Sequence, residues 1–210
     1  MTGRLVNLTC LIALSVLSGC ATYTHQIGAF RTDLARSDYD GALKSLEGAN
    51  SSSNRLLFLM ENGLVAHYRG HYHRSNTYFE AAERLSDRLF TRSLSREAAS
   101  LVTNDTLRPY RGEEFERVFI HYYRALNYWY LGLPEDALVE CRKANLKLAD
   151  HASQADFEAT YRNDAFIHYM TGLFYEATGE LNDAYVSYRD AEKAYQTYAE
   201  TFGLQPPASL

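Results

Sequence analysis

One spacing recurs and constrains the chain before any composition is considered. Gly63-x6-Gly70-x-Tyr72-x6-Phe79-x2-Ala82 matches Gly172-x6-Gly179-x-Leu181-x2-Ala184-x3-Tyr188-x2-Ala191. Ala125-x2-Tyr128-x3-Gly132-x-Pro134-x2-Ala137-x6-Ala144 is a third copy, and Tyr39-x2-Ala42-x3-Leu46-x2-Ala49 a fainter N-terminal one. In each of the three clear copies, a glycine separates two stretches whose apolar residues recur every three or four positions, the period of an amphipathic helix. No segment beyond Thr22 alternates apolar and polar over strand length. The expectation is an all-α domain of antiparallel helical hairpins, with Pro134 followed by Glu135 and Asp136 as a marked helix start.

This pattern resembles the tetratricopeptide repeat, in which small residues let two antiparallel helices approach closely and large ones fill the hole between hairpins. The resemblance implies a short solenoid whose first helices line a concave surface. Copies of about 34 residues are the norm for such repeats, yet Gly70 and Gly132 stand too far apart, as do Gly132 and Gly179. Residues 86–114 therefore read as an insert, an extra helix over roughly Leu89 to Val102 and a polar turn over 103–112. Residues 146–163 read as extensions of the helices on either side.

The N-terminus reads as an address. Met1 to Gly19 carries a single charge, Arg4, and a short apolar run from Leu11 to Leu17, too brief to span a bilayer. Leu17-Ser18-Gly19-Cys20 resembles the bacterial lipobox. The resemblance implies cleavage before Cys20, a diacylglycerol thioether on its sulfur and an acylated amine. Several acyl chains anchor a protein firmly where one does not. Ala21, where Asp would signal inner-membrane retention, resembles the outer-membrane default, with the domain on the periplasmic face. The expected organisation is a cleaved signal peptide over 1–19, a tether over 20–29, a repeat domain over 30–202 and a tail over 203–210.

Composition narrows the function classes. With 17 Tyr, 10 Phe and 1 Trp the chain has ample surface to bury, so disorder is excluded. A net charge of −5 and a pI near 5.8 argue against nucleic acid as partner. Three cysteines are too few for a disulfide framework or a structural zinc site. Cys141, at a repeat position that packs inside, is expected to be inert.

Residues 104–145, including Tyr110-Arg111-Gly112-Glu113, His121-Tyr122-Tyr123 and Glu140-Cys141-Arg142, resemble an uncharacterised family of tetratricopeptide-type bacterial lipoproteins. Members are often encoded beside lipoproteins of envelope assembly and peptidoglycan synthesis. The resemblance to tetratricopeptide repeats implies that Met60, Leu64, His67 and Tyr68 line the concave side, then Phe119, Tyr122, Leu126, Trp129 and Tyr130, then Phe166, Tyr169 and Leu173. Tyr and Trp give large contact area with a polar tip, the composition of a docking surface for a protein or peptide. A register shift of one residue instead buries these rings between hairpins.

A second candidate is an ionic cluster of Glu113, Glu116, Arg117, Glu140 and Arg142, read either as a ligand site or as structural pairing. His67, His71 and His73 invite a metal reading. Gly70 breaks their shared face and no carboxylate or Cys completes a ligand set, so no metal and no cofactor are expected. His121 and His168 read as satisfied core histidines. No phosphate loop or nucleophile elbow appears. The expectation is a non-enzymatic, lipid-anchored scaffold. The alternatives are an envelope enzyme or small-ligand binder acting through the ionic cluster, and a pilotin-like lipoprotein.

Overall fold

The computed structural model describes residues 27–97, 109–152 and 164–210, and the segment expected to be a signal peptide lies outside these, as does Cys20. Among the described residues the fold is all-helical: α1 (Gly28–Ala35), α2 (Tyr39–Glu47), α3 (Arg55–Tyr68), α4 (Tyr72–Glu97), α5 (Glu114–Tyr130), α6 (Pro134–Ala152), α7 (Ala165–Thr178) and α8 (Leu181–Phe202). Consecutive helices pair as hairpins, and each hairpin packs on the next in chain order. The first helices also meet each other directly, α3 against α5 and α5 against α7.

Three of the turns are chemically identical. After α3, α5 and α7 the glycines Gly70, Gly132 and Gly179 adopt φ of +74°, +72° and +83°, which costs a residue without Cβ little. The amides of His71, Leu133 and Glu180 then reach back to the carbonyls of Ala66, Tyr128 and Tyr175, each at 2.9 Å. The glycine amides themselves bond to His67, Trp129 and Glu176. This double bond pattern satisfies carbonyls that the helix end leaves open. Pro134 occupies the first position of α6, where its missing N–H costs nothing.

Inside the hairpins the small residues set the approach distance. A Cβ on Gly172 would lie 2.5 Å from the Tyr188 ring, and one on Gly63 would lie 2.9 Å from Phe79. Ala125, the equivalent in the third copy, is fully buried. In the faint N-terminal copy Ala42, Leu46 and Ala49 are all core residues. The helical domain begins a few residues before the expected boundary at residue 30, because Gly28 opens α1 and Ile27 is buried in one cluster with Phe30, Ala42, Leu46 and Val65.

The insert also differs from expectation. Between Tyr72 and Glu97 no glycine or proline interrupts the chain, and α4 runs unbroken past Leu89, the expected start of a separate helix, to Glu97. Its second half is held down by Arg117, whose guanidinium lies 4.3 Å from the Phe90 ring centroid. Residues 98–108, the rest of that segment, lie outside the described residues. On the C-terminal side α6 does extend to Ala152, and Asp164 opens α7 by accepting the Ile167 amide at 2.9 Å.

Candidate functional site

The residues expected to line a groove gather on one face, formed by the first helices α3, α5 and α7. Along α5, Phe115, Phe119, Tyr122, Leu126, Trp129 and Tyr130 follow a helical stripe, flanked by Met60, Leu64, His67 and Tyr68 on α3 and by Phe166, Tyr169 and Leu173 on α7. None of the twelve expected residues is buried. Tyr68 is 51% exposed, Tyr130 57% and Phe166 43%. The rings touch in series: Phe115 on Phe119, Phe119 on Tyr122, Tyr122 on both Tyr123 and Phe166, at centroid distances of 4.9–6.4 Å. Tyr72, from α4, stacks on Tyr130 at 4.9 Å. Two of the expected residues are less open than their register implies. Trp129 lies flat on Phe174 at 4.6 Å, and the Tyr169 hydroxyl pairs with Ser209 of the tail at 2.6 Å.

Between α3 and α5 this face sinks into a cavity of about 190 Å³, lined by Leu57, Met60, Leu64, Phe79, Phe119 and Ile120 together with Tyr123, Glu61 and Glu116. Glu116 is fixed by two donors to its Oε2, the Tyr110 hydroxyl and the Glu113 amide, the latter at 2.8 Å. Burial and the neighbouring carboxylate push the Tyr110 phenol well above its ordinary range.

His67 is anchored rather than solvated. Asn127 donates through Nδ2 to Ser75 Oγ and Asn76 Oδ1, both at 2.8 Å, so its Oδ1 must accept the bond from His67 Nδ1 at 2.7 Å. The imidazole therefore carries its proton on Nδ1, and Nε2 is the nitrogen that titrates. Burial pulls the His67 pKa down, with the Asn127 bond opposing in part. His71 and His73 are exposed and take no part in this network. Among the described residues no group of three or more His, Cys, Asp or Glu side chains is arranged to hold a metal ion.

The five residues expected to form one ionic cluster do not meet. Glu113 and Glu116 cap the start of α5, whereas Arg117 turns to Asp87 at 3.0 Å and Glu114 at 3.5 Å. Arg142 instead binds the Tyr175 hydroxyl at 3.1 Å. Glu140 enters a buried network apart from the other four, with His121, expected in the core, and with Arg124 and Lys143. His121 Nδ1 lies 2.8 Å from Glu140 Oε2, Arg124 is 3.1 Å from Glu140 Oε1, and Arg124 also pairs with Glu83. Lys143 closes the set from the solvent side, 3.2 Å from Glu140. Burial acts to raise the Glu140 carboxyl, but the His121 bond and the charges of Arg124, His121 and Lys143 outweigh it and hold the group below its ordinary value. Asp87 is held down in the same way by Lys147 and Arg117, against burial.

These contacts reveal a polar seam. Arg117, His121, Arg124 and Asn127 form one stripe of α5, all buried, facing Ser75, Asn76, Glu83 and Asp87 on α4 and Glu140, Lys143 and Lys147 on α6. The stripe has a sequence signal, a three-and-four spacing of polar residues. A solvated helix face shows the same spacing, so nothing in the chain alone marks it as buried. Each carboxylate here is matched by a cation, the arrangement of a structural joint.

Cys141 is fully buried, the packing expected of its repeat position, and burial pushes its pKa up to about 12 although Thr171 opposes the shift. No helix among the described residues is long and apolar enough to cross a membrane. No protein-family model matches the chain, and no curated protein matches it significantly.

Proposed function

We propose that this protein is a lipid-anchored scaffold of the bacterial envelope, a short tetratricopeptide-like solenoid that docks a protein or peptide partner on its concave face. Cys20 carries the anchor, the outer membrane holds it, and the domain works from the periplasmic side in envelope biogenesis or the support of peptidoglycan synthesis. The observation that carries this reading is the aromatic face of α3, α5 and α7, where large rings remain in solvent although the chain has a well-filled core elsewhere. Contiguous exposed apolar surface of this kind marks an interaction site. Its Tyr-rich composition is that of interface anchors, which contribute area at little cost in side-chain freedom.

The alternative of catalysis or small-ligand binding at Glu113, Glu116, Arg117, Glu140 and Arg142 lacks a shared site, because those side chains lie in separate places and the buried carboxylate is neutralised by its neighbours. Two experiments test the proposal. Cys20→Ala should abolish labelling by radioactive palmitate and release the protein from the membrane fraction, and persistent membrane labelling of that variant would contradict the anchor. Phe119→Ser combined with Phe166→Ser, both at exposed positions, should leave the melting temperature within a few degrees of wild type while removing the partner that copurifies from envelope membranes. Retention of the same partner by the double variant would contradict the docking face.

A further inference from the structure

We propose that the cavity between α3 and α5 receives a single aromatic side chain of the partner, presented by a segment that carries Lys or Arg beside it. This rests on the docking reading and adds the chemistry of the docked residue.

Size makes the first argument. Pockets for drug-sized molecules run to roughly 300–1,000 Å³, whereas this cavity holds about 190 Å³. An apolar cavity of about 150 Å³ is enough for one benzene. The space thus matches one ring of a polypeptide rather than a free metabolite. The walls suit a ring as well. Phe79 and Tyr123 stack almost parallel at 5.6 Å on one side, and Phe119 stands edge-on to Tyr122 at the mouth, so an incoming ring finds both faces and edges to pack against. Large anchors in desolvated pockets are where interface energy concentrates.

Charge makes the second argument. The lining includes two carboxylates, Glu61 and Glu116, and no Lys or Arg. Glu113 stands exposed next to Glu116, and the Tyr110 hydroxyl and the Glu113 amide hold the Glu116 carboxylate in place. A cation entering beside the ring therefore meets a carboxylate already positioned, which lowers the ordering cost of the contact. The exposed faces of Phe115 and Phe119 add cation–π attraction for the same charge. An acidic flank would meet like charges at close range, which selects against it.

The test uses the full lipidated chain in phosphatidylcholine nanodiscs, neutral so that basic peptides do not bind the lipid. Three fluorescein-labelled peptides on one Gly/Ser frame are compared by anisotropy: Trp between two Lys, Trp between two Glu, and Ala between two Lys. The Trp/Lys peptide should bind about tenfold or more tighter than either of the others. Leu64→Trp, which fills the cavity from its own wall, should remove that advantage. Glu61→Lys should invert it toward the Trp/Glu peptide, a gain of binding that a misfolded variant cannot produce. Equal binding of the three peptides, no binding of the Trp/Lys peptide, or binding indifferent to both variants would overturn the cavity proposal. If that indifferent binding is lost in Phe166→Ser, the docking face survives and only the cavity is wrong.

Discussion

The joint between α4 and α5 and the joint between α6 and α7 connect successive hairpins with opposite chemistry. Across the second, Leu138, Cys141, Ala144 and Leu148 of α6 pack with Ile167, Met170 and Phe174 of α7 in one apolar cluster that also takes in Val118 and Ala125. Across the first, a separate apolar cluster of Leu56, Leu59, Phe79, Ala82 and Ile120 is bordered by the buried stripe Arg117, His121, Arg124 and Asn127. The core therefore divides at α5, with a polar seam between its halves. Apolar packing supplies strength and tolerates small slips. A buried network of matched charges and amides adds little net stability but favours the register in which its charges meet, here with the Nε atoms of Arg117 and Arg124 left without a partner. On this comparison the C-terminal joint holds the array together. The α4–α5 joint fixes how α5 is rotated, and hence which of its faces presents Phe119, Tyr122 and Tyr130 to solvent.

The sharpest way to break the comparison is Glu140→Ala. Removing this carboxylate strands Arg124 and His121 in the interior, and urea unfolding should show a loss of about 3–5 kcal/mol. Replacing the trio together, with Glu140→Leu, Arg124→Met and His121→Leu, should recover most of that loss while Glu83 stays paired with Lys143 at the surface. Failure of the triple variant to recover would mean that the seam contributes strength, not register. In the apolar joint Ile167→Ala should cost about 2–5 kcal/mol through the cavity it leaves, and no second substitution in the seam should rescue it.

Smaller effects come from the close approaches inside the hairpins. Gly172→Ala and Gly63→Ala should each destabilise by about 1–3 kcal/mol through overpacking, with Gly172 the worse because its Tyr188 contact is nearer. Equal or favourable effects would show that the rings of Tyr188 and Phe79 swing aside freely. The smallest effect is a pH dependence. His67 and His168 both have pKa values lowered by burial in the folded state, from an ordinary 6.5. Their contribution is present above that value and is lost as pH falls below it, because the unfolded chain takes up protons first. Melting temperature should therefore drop between pH 7.5 and pH 5.5, and His67→Asn should reduce the drop. The lowered carboxyls of Glu140 and Asp87 add a second loss at more acid pH, below their ordinary values.

Much of this fold is legible in the sequence because its punctuation is local. Gly70, Gly132, Gly179 and Pro134 each act within a turn of their own position, and the small residues at 63, 125 and 172 repeat at fixed offsets. The exposed aromatic stripe follows from the same register. The seam is not legible, since Glu83 and Asp87 meet Arg124 and Arg117 from another hairpin, and a polar stripe gives no sign of whether water or protein will cover it. The same ambiguity lets Glu113, Glu116, Arg117, Glu140 and Arg142 read as one cluster, where the fold distributes them over a helix cap, the seam and the Tyr175 ring. The length of α4 is hidden for a related reason, since Asp87 looks like a solvated helix position although Arg117 and Lys147 cover it.

The most direct test of the proposed docking face is site-specific photocrosslinking in the proposed setting, envelope membranes, with a photoreactive residue at Tyr122 or Tyr130 and controls at the exposed positions Leu146 and Arg189 on α6 and α8. The expected result is one discrete partner captured from Tyr122 and Tyr130 and absent from both controls. Capture of the same species from all four positions, or from the controls alone, would contradict the account.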